Sequence, residues 1–182
     1  MKKLLPLILL VLVIIVGSIA LRQFSEPTDF SQSRIDIGMV VSDIEVSVLF
    51  YKNTLGFTEL KPFNVAAEFS TKAGLTDGQS LAVRVLVVGE GDNATRIKLM
   101  QIPNVESSKS SNEFIHSQLG LSYITVYVRD MSKALKRMSE GGAKALAKGP
   151  VLIADDPDKS YLTLVADPDG NLIELIGPKL AE

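Results

Sequence analysis

The strongest constraint on the fold of this chain is that it repeats itself. Ile35, Ile37, Met39 and Val41 alternate with Asp36, Gly38 and Val40, the period-two pattern of a strand with one apolar face. Ser42-Asp43-Ile44-Glu45 then fits a capping box, and Ile44, Val48, Tyr51 and Leu55 form the stripe of an amphipathic helix that Gly56 closes. Short strands are expected over 58–63, 79–88 and 95–101, so the order is β, α, β, β, β. The same order returns from 123 to 176. Ile124, Val126 and Val128 share one face of a strand, and Asp130 caps a helix with the stripe Met131, Leu135 and Met138. Gly141-Gly142 ends that helix, and strands are expected over 144–147, 161–166 and 171–176. Asp36 and Tyr123, Ile44 and Met131, Val48 and Leu135, and Tyr51 and Met138 all stand 87 positions apart. Four shared offsets across a strand and a helix mark an internal repeat.

The closing strands align Ile97-Lys98-Leu99 with Ile173-Glu174-Leu175 at an offset of 76, eleven fewer than the opening elements. The difference places an insertion at 65–77, expected to form a short helix. Residues 103–119, with Ser and Lys prominent, read as the linker between modules 34–102 and 120–177. The expected fold class is therefore α+β. Two βαβββ modules within a domain at 34–178 form a cupped mixed sheet, with helices on its outer face.

One segment lies outside the repeat. Lys2 and Lys3 precede an uncharged run from Leu4 to Leu21, which Arg22 ends. Eighteen helical residues span about 27 Å, close to the hydrocarbon thickness of a bilayer. Residues 1–22 read as an uncleaved signal anchor, which the length favours, or as a cleaved signal peptide, for which Ser18-Ile19-Ala20 supplies small residues. A buried core helix is the remaining alternative. The first two readings leave Lys2 and Lys3 on the cytoplasmic side. The domain would then be membrane-anchored outside the cytoplasm, or secreted or periplasmic after cleavage. Residues 23–33 read as a tether.

Composition removes several chemistries. The chain has no cysteine and one histidine, His116, which excludes a disulfide framework, a thiolate site, and a catalytic triad or multi-histidine metal site within one chain. A net charge of −2 with scattered Lys and Arg gives no electrostatic footprint for nucleic acid. His116 falls in the linker and is expected to be an exposed loop residue.

The segment from Ile35 to Asp43, followed by Phe50-Tyr51-Lys52-Asn53-Thr54-Leu55-Gly56-Phe57, resembles the opening of the vicinal oxygen chelate superfamily. That group includes glyoxalase I, bleomycin-resistance proteins, extradiol dioxygenases and methylmalonyl-CoA epimerase. Asp167-Pro168-Asp169-Gly170-Asn171, before Ile173-Glu174-Leu175, is similar to its closing motif. The resemblance covers about 34–177 and is specific for the fold, while one fold hosts many reactions. It implies that first and last strands of each module contribute one inward residue each, and that metal-dependent members hold a divalent ion there. The matching positions are Asp36, Lys98, Tyr123 and Glu174. Only Glu174 keeps the usual ligand type; Asp36 and Tyr123 replace histidines, and Lys98 replaces a glutamate.

The strand pattern supports an inward position for these four, because Ile35/Ile37, Ile97/Leu99, Ile124/Val126 and Ile173/Leu175 occupy the opposite faces. Thr125 and Tyr127 share the face of Tyr123, Arg96 shares that of Lys98, and Arg84 is expected to point the same way. These eight residues form the expected ligand-binding set. No cofactor is expected; were a divalent metal held, Asp36, Tyr123 and Glu174 would supply it. The favoured function is a membrane-tethered cup that binds a small polar or aromatic molecule without metal. The alternative is a lyase or isomerase resembling glyoxalase I (lactoylglutathione lyase-like), metal-dependent or not. In a metal-free version Glu174 would be the base and Lys98 would stabilise an enolate oxygen. A Lys98–Glu174 pair with a purely structural role competes with both. The resemblance also allows a homodimer by exchange of modules.

Overall fold

The computed structural model describes residues 30–103, 107–109, 111–143 and 145–180. The expected apolar helix at 1–22 and most of the tether lie outside the described residues. Among the described residues no helix is long and apolar enough to cross a membrane. From Arg34 on, the chain forms one compact unit.

That unit holds two mixed sheets, one per module. In the first, β1 (Asp36–Val40) pairs in parallel with β5 (Arg96–Gln101), which pairs antiparallel with β4 (Leu81–Val87). The short strands β2 (Thr58–Glu59) and β3 (Phe63–Val65) both pair with β4. In the second, β6 (Tyr123–Tyr127) pairs in parallel with β9 (Leu172–Pro178). β9 pairs antiparallel with β8 (Ser160–Ala166), and β8 with β7 (Val151–Leu152). The order β1-β5-β4-β2 is thus matched by β6-β9-β8-β7. The repeat read in the sequence is a repeat in space.

The helices form where the pattern places them, with local adjustments. Asp43, rather than Ser42, is the N-cap of α1 (Ile44–Leu49), its carboxylate accepting from the amides of Glu45 and Val46. The helix widens into a π-type turn at Phe50–Thr54 and ends at Gly56, whose φ of +83° suits a residue without Cβ. The insertion contains the short α2 (Ala67–Lys72). Asp130 caps α3 (Met131–Glu140), which buries Met131, Ala134 and Met138.

Three strand expectations change. The single strand expected at 58–63 is split into β2 and β3. Of the strand expected at 144–147 the described residues form only an isolated bridge at Ala145, and the sheet edge is taken by Val151 and Leu152 instead. Ile35, placed on the apolar face by its pattern, lies one residue before β1 and is 71% exposed.

One apolar core joins the modules: Val48, Tyr51, Leu55, Ile97 and Leu99 pack in the same cluster as Val126, Met131, Met138, Ile173 and Leu175. The two family-like motifs meet at this junction. The fully buried Tyr51 donates its hydroxyl to Asp167 Oδ2 at 3.0 Å. Asp167 also accepts from the amides of Asp169 and Asn171 and from Asn171 Nδ2, which shapes the β8–β9 turn. Ser42 N donates to Asp169 Oδ2, and the Arg137 guanidinium donates to the carbonyls of Thr54 and Leu55. Burial, reinforced by the Asp167 carboxylate, pushes the Tyr51 phenol far above its ordinary pKa.

Candidate functional site

Residues opposite one another in register share a face of a sheet. Asp36 faces Arg96, Gly38 faces Lys98 and Val40 faces Met100, while Ile37 and Met39 face Ile97 and Leu99 of the core. Asp36, Arg96 and Lys98 therefore lie together on the face of the first sheet opposite Ile97 and Leu99. In the second, Thr125 faces Glu174, Tyr123 faces Leu172 and Tyr127 faces Ile176, opposite the core-facing Ile173 and Leu175. Seven of the eight expected residues sit on the sheet faces opposite the core-facing residues.

Arg84 does not. It stands opposite Leu99, on the helix-covered face, where its guanidinium pairs with Glu59 and with Glu45 of α1. Lys52 reaches the other oxygen of Glu59 at 2.8 Å, completing a four-residue chain of alternating charge. Lys52 first, and Arg84 after it, hold the Glu59 carboxyl below its usual range against the opposing effect of burial. Arg84 is a structural cation and leaves the candidate site. The hairpin register places it there: parity within β4 alone fixes no face, because Val83, Val85, Leu86 and Val87 are all buried.

The remaining residues form separate groups. Lys98 Nζ lies 2.8 Å from Asp36 Oδ2, and Arg34 Nε lies 2.8 Å from Asp36 Oδ1. The Lys98 hydrogen bond, aided by Arg34 and opposed by burial, lowers the Asp36 pKa. Beside this group, Arg96 presents a buried Nε without a hydrogen-bond partner among the described residues. Across the repeat, Thr125 Oγ1 donates to Glu174 Oε1 at 2.8 Å. Among the described residues Lys98 and Glu174 form no ion pair, so Asp36 is the lysine's partner.

Tyr127 and Ile176, which share a face of the second sheet with Thr125 and Glu174, line an open cleft of about 720 Å³. Ile153, Asp155, Asp156 and Asp158 of the β7–β8 loop form its rim. Hydrogen bonds from Ser160 lower the Asp156 pKa. Tyr123 lines a separate crevice of about 30 Å³ beside Met39 and Leu121. His116 is exposed and stacks on Phe114 in the linker. Among the described residues, no three His, Cys, Asp or Glu side chains gather as a metal-binding group.

The sequence reading missed Arg34 and the acidic rim. Arg34 carries a signal, since it stands two residues before Asp36 and so on its face. The rim carries none, because the loop that holds it has no periodicity.

Comparison with known proteins is consistent with this geometry. The model of the glyoxalase/bleomycin resistance protein/dioxygenase superfamily matches residues 35–175. No curated protein matches the chain by sequence. Among solved structures, a glyoxalase family protein from Bacillus cereus is similar at a TM-score of 0.67 and 18% identity, covering 85% of this chain and 99% of that one. A glyoxalase I mutant from Zea mays is similar at a TM-score of 0.56 and 16% identity, over 81% of this chain and 45% of that one. A glyoxalase/bleomycin resistance protein/dioxygenase domain from Frankia gives a TM-score of 0.50 at 18% identity, over 85% and 95%. At these identities the likeness is one of fold.

Proposed function

The chain belongs to the glyoxalase/bleomycin resistance protein/dioxygenase superfamily, and on that premise we propose that it is a binding module whose concave faces hold a small polar or aromatic molecule without a metal ion. The observation that carries this reading is the Lys98–Asp36 pair, 2.8 Å apart, at two of the four positions where metal-dependent relatives place ligands. A divalent ion within about 4 Å of the ammonium would be repelled by roughly 8 kcal/mol at an effective dielectric near 20. Lys98 already occupies one Asp36 oxygen, Arg34 the other, and Thr125 one oxygen of Glu174. The donor chemistry does not fit a divalent ion.

The same groups suit a ligand. Tyr127 and Ile176 supply an apolar and aromatic wall, Thr125 and Glu174 a hydrogen-bonding pair, and Lys98 a positive charge. An apolar wall with a few polar groups is the usual composition of a ligand site. The eighteen-residue uncharged run behind Lys2 and Lys3 supports a second part of the proposal, that the domain is held at a membrane with the cup outside the cytoplasm.

The test is ligand-observed NMR of the protein against a panel of small aromatic and polar molecules. Hits are expected to weaken in Lys98→Met and Thr125→Val. Hits indifferent to both substitutions, or turnover of a hemithioacetal once divalent ions are supplied, would overturn the reading.

A further inference from the structure

A second cavity lies where the chain leaving α1 at Leu55–Phe57 meets the start of α3, with Tyr127 at its border. Its volume is about 290 Å³, at the lower end of the range for small-molecule sites. Leu55, Phe57 and Val126, all buried, form an apolar floor. Arg129, Lys133 and Arg137, four residues apart in the chain, supply three cations against the single carboxylate of Asp130.

That carboxylate is already engaged. Asp130 accepts from the amides of Ser132 and Lys133 as the cap of α3, and its other oxygen lies 3.7 Å from Lys133 Nζ. Among the described residues, neither Arg129 nor Arg137 has a carboxylate within ion-pair distance. Arg137 is fixed in place nonetheless. Its Nε and Nη2 donate to the Thr54 and Leu55 carbonyls at 3.0 and 3.1 Å, which leaves Nη1 for another acceptor. A guanidinium held by two backbone carbonyls loses little freedom when it binds an anion, so the site is preorganised.

We infer that this cavity is a second ligand site, one for a small organic anion. The apolar body of a carboxylate rests on Leu55, Phe57 and Val126, and its charge is met by Arg129, Lys133 and Arg137. Tyr127 borders both this cavity and the cleft of the cup. The three cations and the apolar floor include none of Asp36, Lys98, Thr125 or Glu174, so substitutions at either group test one site without touching the other.

The experiment is an amide chemical-shift titration of the full chain with benzoate, acetate and benzamide. Benzoate should give saturable shifts at Gly56, Val88 and Lys133 with a dissociation constant of about 1–10 mM, as suits a three-cation site open to solvent. Acetate, lacking the apolar body, should bind several-fold more weakly, and benzamide, lacking the charge, should give no saturable shift. The double variant Arg129→Ala/Lys133→Ala changes two exposed side chains and leaves Arg137 in place. It should weaken benzoate about tenfold, as expected from losing two partly screened charge contacts. No saturable benzoate shift in the unaltered protein would overturn the inference. So would acetate binding as tightly as benzoate, benzamide matching benzoate, or a double variant that binds benzoate unchanged.

Discussion

Replacing Tyr51 by Phe removes one oxygen from the junction of the two modules. The Tyr51 hydroxyl is one of two donors to Asp167 Oδ2, the other being Asn171 Nδ2 at 2.9 Å. Both residues are buried, Tyr51 at 0% and Asp167 at 5% exposure, so water does not readily replace the lost donor. A hydrogen bond to a charged acceptor contributes about 1.5–3 kcal/mol, and Phe recovers part of this because no phenol needs to be desolvated. The expected loss is about 2 kcal/mol. For a domain of this size that is a fall in Tm of about 4–8 °C, and of about 1 M in the urea midpoint for a slope near 2 kcal/mol/M. Alkaline pH sharpens the test. The folded phenol titrates above its unfolded value, so its stabilising effect is complete below about pH 10 and is lost as pH rises beyond it. At pH 11 the unaltered protein should have lost about 1.4 kcal/mol through this group, and the variant nothing through it. The stability gap should therefore narrow from about 2 to under 1 kcal/mol between pH 8 and pH 11, on the same arithmetic. Urea unfolding followed by circular dichroism at both pH values measures it. A gap that is absent at pH 8, or that widens with pH, would refute the argument.

Further outcomes follow from other contacts. Lys98→Met should return the Asp36 carboxyl towards its ordinary range. Asp36 then titrates at higher pH in carboxyl-detected NMR, and the stability it contributes above its unfolded pKa is lost earlier on acidification. Arg84→Met should lower stability by about 2 kcal/mol by leaving Glu59 half-buried without one of its two cations, while leaving ligand binding in the cup unchanged. Thermal unfolding and a ligand titration of the same sample check both halves. Gly177→Ala drives a methyl group into the Val128 carbonyl, a backbone atom that cannot turn aside, and should cost about 3 kcal/mol in a denaturant titration.

The parts of the fold legible in the sequence are those where one apolar face is paired with one polar face. Asp36 and Lys98 were placed on a common face by the alternation around them, as were Thr125 and Glu174, and β1–β5 and β6–β9 pairing sets each couple side by side. Arg84 was misplaced because β4 is apolar on both faces, so its orientation depends on a hairpin register that no local pattern reports. The strand expected at 144–147 failed on similar grounds. Its Ala and Lys residues carry little β preference, whereas Val151 and Leu152 pair with Leu162 and Tyr161. In the sequence Tyr51 is one more member of an apolar stripe. Only the structure brings its hydroxyl to Asp167, 116 positions away in the chain.

Among the described residues each sheet draws its strands from one half of the polypeptide alone, and the halves meet through side chains and a shared core. Severing the chain just before Ser107 would therefore break no ladder. Two separately expressed fragments, one ending with β5 and one carrying β6–β9, should recombine on mixing, each recognising the other through the Tyr51–Asp167 and Arg137–Leu55 contacts. Recovery of the intact chain's near-ultraviolet circular dichroism on mixing checks this, and fragments that stay unfolded together would refute it.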